Sequence, residues 1–105
     1  MKIEFLNKHL KDLYEKGKSR KYKLDIQVIR KFVQRVGELE AAVAISDLWK
    51  TPSMNFEKLK GLDTYSVRLN RQYRMEMVID WEDDKKIVGI IGLTDISNHY
   101  GVNYK

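Results

Sequence analysis

The chain has 105 residues, a length that predicts one domain over residues 1–105 and excludes large folds. It carries 20 Lys and Arg against 15 Asp and Glu, and 43% of its residues are hydrophobic, so we expect a folded, soluble protein with a formal net charge of +5. Cysteine is absent, which excludes disulfides and thiolate zinc sites. The two histidines are too few for a histidine-rich metal cage, and no apolar run reaches the ~20 residues of a membrane span. We therefore expect no metal, no cofactor, no membrane contact and a cytoplasmic location.

The positive charge is concentrated in the first third of the chain. Residues 1–35 contain eleven Lys and Arg and four Asp and Glu, residues 36–63 contain three and five, and residues 64–105 contain six of each. A basic segment suits a polyanionic partner, because Lys and Arg that neutralise phosphates release counterions. A well-solvated helical surface explains the same pattern, so charge alone leaves both interpretations open.

The first elements predicted are a strand and a capped helix. Residues 1–6 alternate weakly between apolar and polar side chains, which predicts a short strand. Asn7 is a suitable N-cap for a helix that Gly17 ends. A basic loop over residues 16–23 follows this helix.

Two further helices are predicted before residue 51. Asp25 is the expected N-cap of the second helix, Gly37 its expected end, and residues 40–49 are expected to form the third. Pro52 then marks a loop, since proline cannot continue a helix. The positions expected to face inward are Leu10, Leu13, Tyr14, Ile26, Ile29, Phe32, Val33, Val36, Leu39, Val43, Ala44 and Leu48.

After Phe56 the hydrophobic period changes from helical to two, which is typical of strands. Alternation over residues 65–69 and 73–81 predicts two strands, and residues 81–86 form a polar turn. Residues 87–93 are apolar on both faces, as in the interior of a sheet. The order indicates an α+β fold, in which an N-terminal strand and helices pack on one face of a small, mainly antiparallel sheet whose other face is less covered.

The hairpin between the first two of these strands defines its own register. A three-residue loop places Val67 opposite Met75 and brings the apolar residues of both strands onto one face. The same register places Arg68 opposite Arg74 on the other face, with Cβ atoms ~4.5–5.5 Å apart, where like charges repel. One explanation is a phosphate bound between the two guanidinium groups. The other is screening by the diagonal Glu76, with both arginines in water.

His99 and Tyr100 follow the last predicted strand. A His–Tyr pair can exchange protons near neutral pH and offers a ring for base stacking. A single histidine in such a position is more often a surface residue. The sequence also has no phosphate-binding glycine loop, no nucleophile elbow and no paired histidines on a helix, so the residues alone make this pair a weak candidate.

Several segments together resemble the HigB toxins, a branch of the RelE/ParE toxin superfamily. The most specific is Tyr65–Arg74, which reads Tyr-Ser-Val-Arg-Leu-Asn-Arg-Gln-Tyr-Arg and is similar to the family's Trp-Ser-(Ile/Val)-Arg-Val-Asn-x-Gln-(Trp/Tyr)-Arg. Phe56–Gly61, Leu13–Arg20 and Leu39–Ala42 resemble further family segments. The likeness spans about residues 5–100.

The resemblance implies a compact RelE-like fold and a metal-independent endoribonuclease that cleaves mRNA, typically on the ribosome, by attack of a 2′-OH on the adjacent phosphate. It assigns Arg68 and Arg74 to the scissile phosphate and the terminal polar residues to proton transfer. The family ends in Asp-Tyr-His, whereas this chain has Asn98-His99-Tyr100, so the resemblance does not assign the individual proton-transfer roles of His99 and Tyr100. The RNA-binding residues implied are Lys58, Lys60, Asn70, Arg71, Gln72 and Asn98.

HigB toxins belong to type II toxin–antitoxin systems, so the resemblance also implies partners. These are a HigA-like helix-turn-helix antitoxin, mRNA on the ribosome, and operator DNA bound only through the toxin–antitoxin complex. We expect the antitoxin to contact the basic helices, because their charge would complement an acidic segment. Two alternatives stay open: a non-enzymatic gyrase poison, as in the ParE branch, and a plain RNA-binding module.

Overall fold

The computed structural model describes residues 1–98, which form three α-helices and a five-stranded sheet. The elements are β1 (Ile3–Phe5), α1 (Lys8–Lys16), α2 (Ile26–Ala41), α3 (Ile45–Trp49), a 3₁₀ turn (Pro52–Met54), β2 (Glu57–Lys58), β3 (Tyr65–Arg68), β4 (Tyr73–Trp81) and β5 (Gly89–Asn98). The strand order is β1-β5-β4-β3-β2, with β1 parallel to β5 and the other pairs antiparallel. Among these helices none is both long and apolar enough to cross a membrane. The α+β prediction is confirmed.

The helices pack on one face of the sheet, as predicted from the change of period. That face and the inner sides of the helices form one buried core, while Arg68 and Arg74 emerge on the opposite, more exposed face. Burial of apolar side chains between the two layers is the main stabilising contribution. The core includes Leu10, Leu13, Phe32, Val36, Leu39, Leu48, Val67, Met75, Met77, Ile91, Leu93 and Ile96.

The predicted helix caps are confirmed. The Asn7 side chain accepts a hydrogen bond from the N–H of His9 (2.9 Å), and Asp25 accepts one from the N–H of Gln27 (3.1 Å). Gly17 ends α1 in the left-handed conformation (φ 74°), where a side chain would be strained. These caps fix where the basic loop between α1 and α2 begins and ends.

The predicted end of α2 at Gly37 is wrong. The helix continues to Ala41, because a glycine in a helix interior costs only about 1 kcal/mol relative to alanine and the additional turn buries Leu39. The inward positions were also partly wrong, since Ile26 and Val33 are 55% and 40% exposed. The buried face of α2 consists of Val28, Phe32, Arg35, Val36 and Leu39.

The third helix is shorter than the predicted residues 40–49. It begins at Ile45, because the Asp47 carboxylate accepts hydrogen bonds from the N–H groups of Val43 (2.9 Å) and Ala44 (3.2 Å) and so fixes a non-helical turn before it. The same two hydrogen bonds lower the pKa of Asp47. Val43, expected to face inward, is 79% exposed.

β5 is an interior strand between β1 and β4, as predicted, although it begins and ends later than residues 87–93. Its register against β4 changes after Glu76: Glu76 opposes Asp95, whereas Met77 opposes Leu93. Thr94 is therefore an extra residue and forms a β-bulge.

Tyr22 ties the basic loop to this bulge. Its buried hydroxyl donates a hydrogen bond to the Asp95 carboxylate (2.5 Å) and accepts one from Nδ2 of Asn7 (2.9 Å), which also donates to the carbonyl of Thr94 (3.1 Å). Burial, and then the adjacent Asp95 carboxylate, raise the pKa of Tyr22 far above its usual value. The start of α1, the loop and β5 are thus joined by one buried network.

Alkaline pH should destabilise the protein through Tyr22. The pKa of Tyr22 is higher in the folded protein than the value of ~10 expected in an unfolded chain. Its contribution to the free energy of unfolding is therefore complete below pH ~10 and decreases above it, by up to about 1.4 kcal/mol per pH unit. Urea unfolding of wild type and Tyr22→Phe between about pH 8 and about pH 11 measures this. At pH ~8 the wild type should be about 1 kcal/mol more stable than Tyr22→Phe, and this difference between the two proteins should shrink above pH ~10. A difference that stays constant with pH would contradict the role of the Tyr22 hydroxyl.

Candidate functional site

The β3–β4 hairpin has the register predicted from the sequence. Val67 opposes Met75, Ser66 opposes Glu76 and Arg68 opposes Arg74. Directly opposed residues of an antiparallel pair share a face. The two arginines and Glu76 therefore lie together on the face away from the helices.

Asn70 determines the shape of the hairpin tip. Its Oδ1 accepts hydrogen bonds from the N–H groups of Gln72 (2.9 Å) and Tyr73 (2.7 Å), so the side chain closes the turn. Arg71 and Gln72 are exposed at the tip. The Asn70 side chain thus shapes the tip, while its implied contact with RNA stays a prediction.

Arg74 is held by two polar neighbours. Its Nε lies 3.3 Å from Oγ of Ser97 and 3.9 Å from Oε2 of Glu76, and the Ser97 hydroxyl donates to the same carboxylate oxygen. Ser97 opposes Arg74 across β4 and β5, which explains why it reaches the same face. We call Arg68, Arg74, Glu76 and Ser97 the arginine site. Ser97 was not identified from the sequence, because the bulge in β5 hides its register.

Arg35 supports the arginine site from the core. Its side chain is 4% exposed, Nε donates to the carbonyl of Arg68 (3.0 Å), Nη2 donates to the carbonyl of Ser53 (2.6 Å), and Nη1 is paired with Glu38 (2.7 Å). β2 begins at Glu57, opposite residue 66, so it does not extend far enough to pair with Arg68. Arg35 supplies the donor that a longer β2 would have provided.

Arg35 was not identified from the sequence, because arginines on amphipathic helices are normally exposed. The available signal was its place within the helical spacing of Val28, Phe32, Val36 and Leu39, which are all buried. A buried guanidinium group needs several acceptors at once, and here two backbone carbonyls and one carboxylate provide them.

The arginine site can bind an oxyanion. Arg68 and Arg74 lie on one partly exposed sheet face, where Glu76 forms an ion pair with Arg74. Guanidinium groups donate paired hydrogen bonds that match the geometry of phosphate oxygens. Within residues 1–98 no three His, Asp or Glu side chains are grouped to hold a metal ion.

The two lysines implied by the resemblance are not part of the arginine site. Lys58 opposes Tyr65 on the helix-side face, and its Nζ lies 4.0 Å from the Asp63 carboxylate. Lys60 is exposed in the turn after β2. Lys58 therefore lies on the opposite face of the sheet from Arg68 and Arg74.

The terminal residues are only partly described. Asn98 opposes Tyr73, which assigns its side chain to the helix-side face, next in sequence to a member of the arginine site. His99 and Tyr100, the residues implied in proton transfer, lie outside the described residues.

The fold is similar to the RelE/YoeB toxin fold. A solved structure described as the YoeB/ParE toxin from Agrobacterium tumefaciens is similar over 95% of this chain and 100% of its own length, with a TM-score of 0.52 and 19% sequence identity. At this identity the similarity concerns the fold alone. Comparison with curated proteins by sequence found no match.

A family model assigns the chain to one family of these toxins. The model of HigB-like toxins, described as the RelE-like toxin of the type II toxin–antitoxin system HigB, matches residues 3–91. The chain therefore belongs to the HigB-like toxin family. Membership makes it the toxin of a type II system and implies an antitoxin partner.

Proposed function

We propose that this toxin is a metal-independent endoribonuclease that cleaves mRNA on the ribosome, in the cytoplasm, and that Arg68 and Arg74 bind the scissile phosphate. The observation that supports the proposal is the direct opposition of the two arginines on the exposed sheet face. Like charges at opposed positions repel, and the ion pair of Arg74 with Glu76 offsets part of this repulsion. A phosphate bound between the two guanidinium groups would offset more of it.

The proposed reaction is an in-line displacement at phosphorus. The ribose 2′-oxygen forms a bond to the adjacent phosphorus while the bond from phosphorus to the 5′-oxygen breaks. One proton leaves the 2′-OH and one is delivered to the 5′-oxygen. The products are a 2′,3′-cyclic phosphate and a 5′-OH. Arg74 stabilises the negative charge that develops on the non-bridging oxygens, and Arg68 holds the phosphate in position.

The remaining roles are part of the same proposal. Glu76 and Ser97 orient the guanidinium group of Arg74, to which both are bonded. His99 and Tyr100 are proposed to exchange the two protons. The exposed tip residues Asn70, Arg71 and Gln72 are proposed to contact the RNA backbone beside the scissile phosphate.

We also propose that the antitoxin is a HigA-like helix-turn-helix protein and that operator DNA is bound only through the toxin–antitoxin complex. Family membership supports an antitoxin in general. The helix-turn-helix class rests on the resemblance of the hairpin and flanking segments to HigB toxins.

A reconstituted translation reaction tests the proposed activity. Purified toxin added to ribosomes that translate a defined mRNA should produce cuts, mapped by primer extension, within the translated region. The fragments should carry 2′,3′-cyclic phosphate and 5′-OH ends. The same mRNA without ribosomes tests the ribosome requirement. Intact mRNA together with trapped gyrase–DNA complexes would favour the gyrase poison, and RNA binding without cleavage would favour the RNA-binding module.

A further inference from the structure

Gly37 has no structural reason among the described residues. It lies in the interior of α2, and a Cβ added to it would meet no atom of residues 1–98 within 4 Å. Its backbone is helical, a conformation that any residue adopts. Glycine is less favourable than alanine in a helix interior, because it loses more conformational freedom on folding. Neither packing against the described part of the chain nor backbone conformation explains the glycine.

Gly37 lies in line with other exposed residues of α2. Ile26, Arg30, Val33 and Gly37 are spaced i, i+4, i+7 and i+11, which places them along one side of the helix over ~16 Å. Ile26 and Val33 are large apolar side chains that are 55% and 40% exposed, and Arg30 is exposed. We call these four residues the α2 outer stripe. Its apolar side chains are Ile26 and Val33, and Gly37 leaves a gap at its C-terminal end.

The N-terminal half of the stripe has basic surroundings, whereas Glu38 and Glu40 follow Gly37 at its other end. Residues 18–31 contain six Lys and Arg and one acidic residue, Asp25, which caps α2. The N-terminus of α2 adds the positive end of the helix dipole at the same place. A partner on the stripe is therefore expected to carry negative charge.

We propose that the α2 outer stripe is the docking surface for an acidic amphipathic helix of the antitoxin. Gly37 allows the partner's backbone to approach α2 closely, and apolar side chains of the partner at helical spacing pack against Ile26 and Val33. Its carboxylates face Arg30 and the basic loop. RNA would use the positive charge but gains nothing from exposed aliphatic side chains or a glycine gap, so the stripe favours a protein. The proposal rests on membership of the toxin family and is independent of the proposed ribonuclease chemistry.

Gly37→Ala gives the sharpest test. The added methyl group should raise the melting temperature of the free toxin, because alanine is the better helix former. The same methyl group should fill the gap and weaken binding of the purified, full-length cognate antitoxin about tenfold, measured by calorimetry without RNA. A higher melting temperature with unchanged affinity would overturn the proposal.

Val33→Glu and Val43→Glu form a matched pair. Both replace an exposed aliphatic side chain, but Val43 lies outside the stripe. Val33→Glu should weaken antitoxin binding tenfold or more, because it removes an apolar contact and repels an acidic partner, whereas Val43→Glu should leave the affinity unchanged. Higher salt should slow association of the wild type. The docking surface would be refuted if the two variants lost antitoxin affinity equally. It would also be refuted if Val33→Glu lost only RNA binding and kept its affinity for the antitoxin. Cleavage of mRNA is not measured here, so failure of this proposal leaves the proposed function standing.

Discussion

Arg74→Ala should abolish mRNA cleavage and growth arrest while the protein stays folded. Removal of one group that stabilises developing charge commonly costs ~10²–10³ in rate. The free energy of unfolding should change by less than about 0.5 kcal/mol, because relief of the repulsion from Arg68 offsets the lost contacts with Ser97 and Glu76. The measurement combines the ribosomal cleavage assay with urea unfolding of the same protein.

Two variants of the same hairpin serve as controls for this result. Arg71→Ala removes an equal charge at the exposed tip and should reduce cleavage by less than about tenfold, since it faces no developing charge. Glu76→Ala leaves Arg68 and Arg74 opposed without their carboxylate and should lower stability by about 0.5–1 kcal/mol. A folded Arg74→Ala protein that still arrests growth would end the assignment of Arg74.

Arg35→Met should produce the largest loss of stability, about 2–4 kcal/mol, and should also reduce cleavage. Methionine fills much of the same space but leaves the carbonyls of Arg68 and Ser53 without their donor, and an unsatisfied buried group costs about 1–3 kcal/mol. Release of the Arg68 carbonyl frees the end of β3, which displaces that arginine relative to Arg74. Urea unfolding and the cleavage rate at saturating mRNA measure the two effects.

Glu38→Gln separates the ion pair of Arg35 from the hydrogen bonds that its guanidinium group donates to backbone carbonyls. It weakens the ion pair at Nη1 but leaves the hydrogen bonds from Nε and Nη2 in place, so it should cost less than about 1 kcal/mol and keep the cleavage rate. Arg35→Lys keeps the charge without the planar set of donors and should restore part of the stability but little of the rate. If Arg35→Met matched the wild type in both measurements, the support of Arg68 by Arg35 would be wrong.

The hairpin was predictable because two independent signals agreed. Period-two alternation fixed which residues share a face, and a three-residue loop was the length that placed Val67 opposite Met75. The opposition of Arg68 and Arg74 then followed without further assumptions. The capped ends at Asn7 and Asp25 were equally local, since a cap depends on three or four consecutive residues.

Features that depend on distant residues could not be predicted. Gly37 is a helix-ending signal by local rules, but burial of Leu39 two residues later outweighs it. Arg35 is buried because Ser53 and Arg68, far away in sequence, supply its acceptors. The parallel pairing of β1 with β5, and the bulge that aligns β5 with the arginines, likewise leave no trace in the spacing of nearby residues.

The strand pairings also imply an order of folding. Val67 and Met75 pair across eight positions, so the hairpin needs only a short loop to close. Ile3 and Ile91 pair across 88 positions, and such long-range contacts form slowly. The pairing of β4 with β5 is equally local, since Trp81 and Gly89 also lie eight positions apart, and it brings Ser97 beside Arg74. We therefore expect the arginine site to form on the β3–β4–β5 meander before β1 docks, so that the last step of folding completes the edge of the sheet rather than the site.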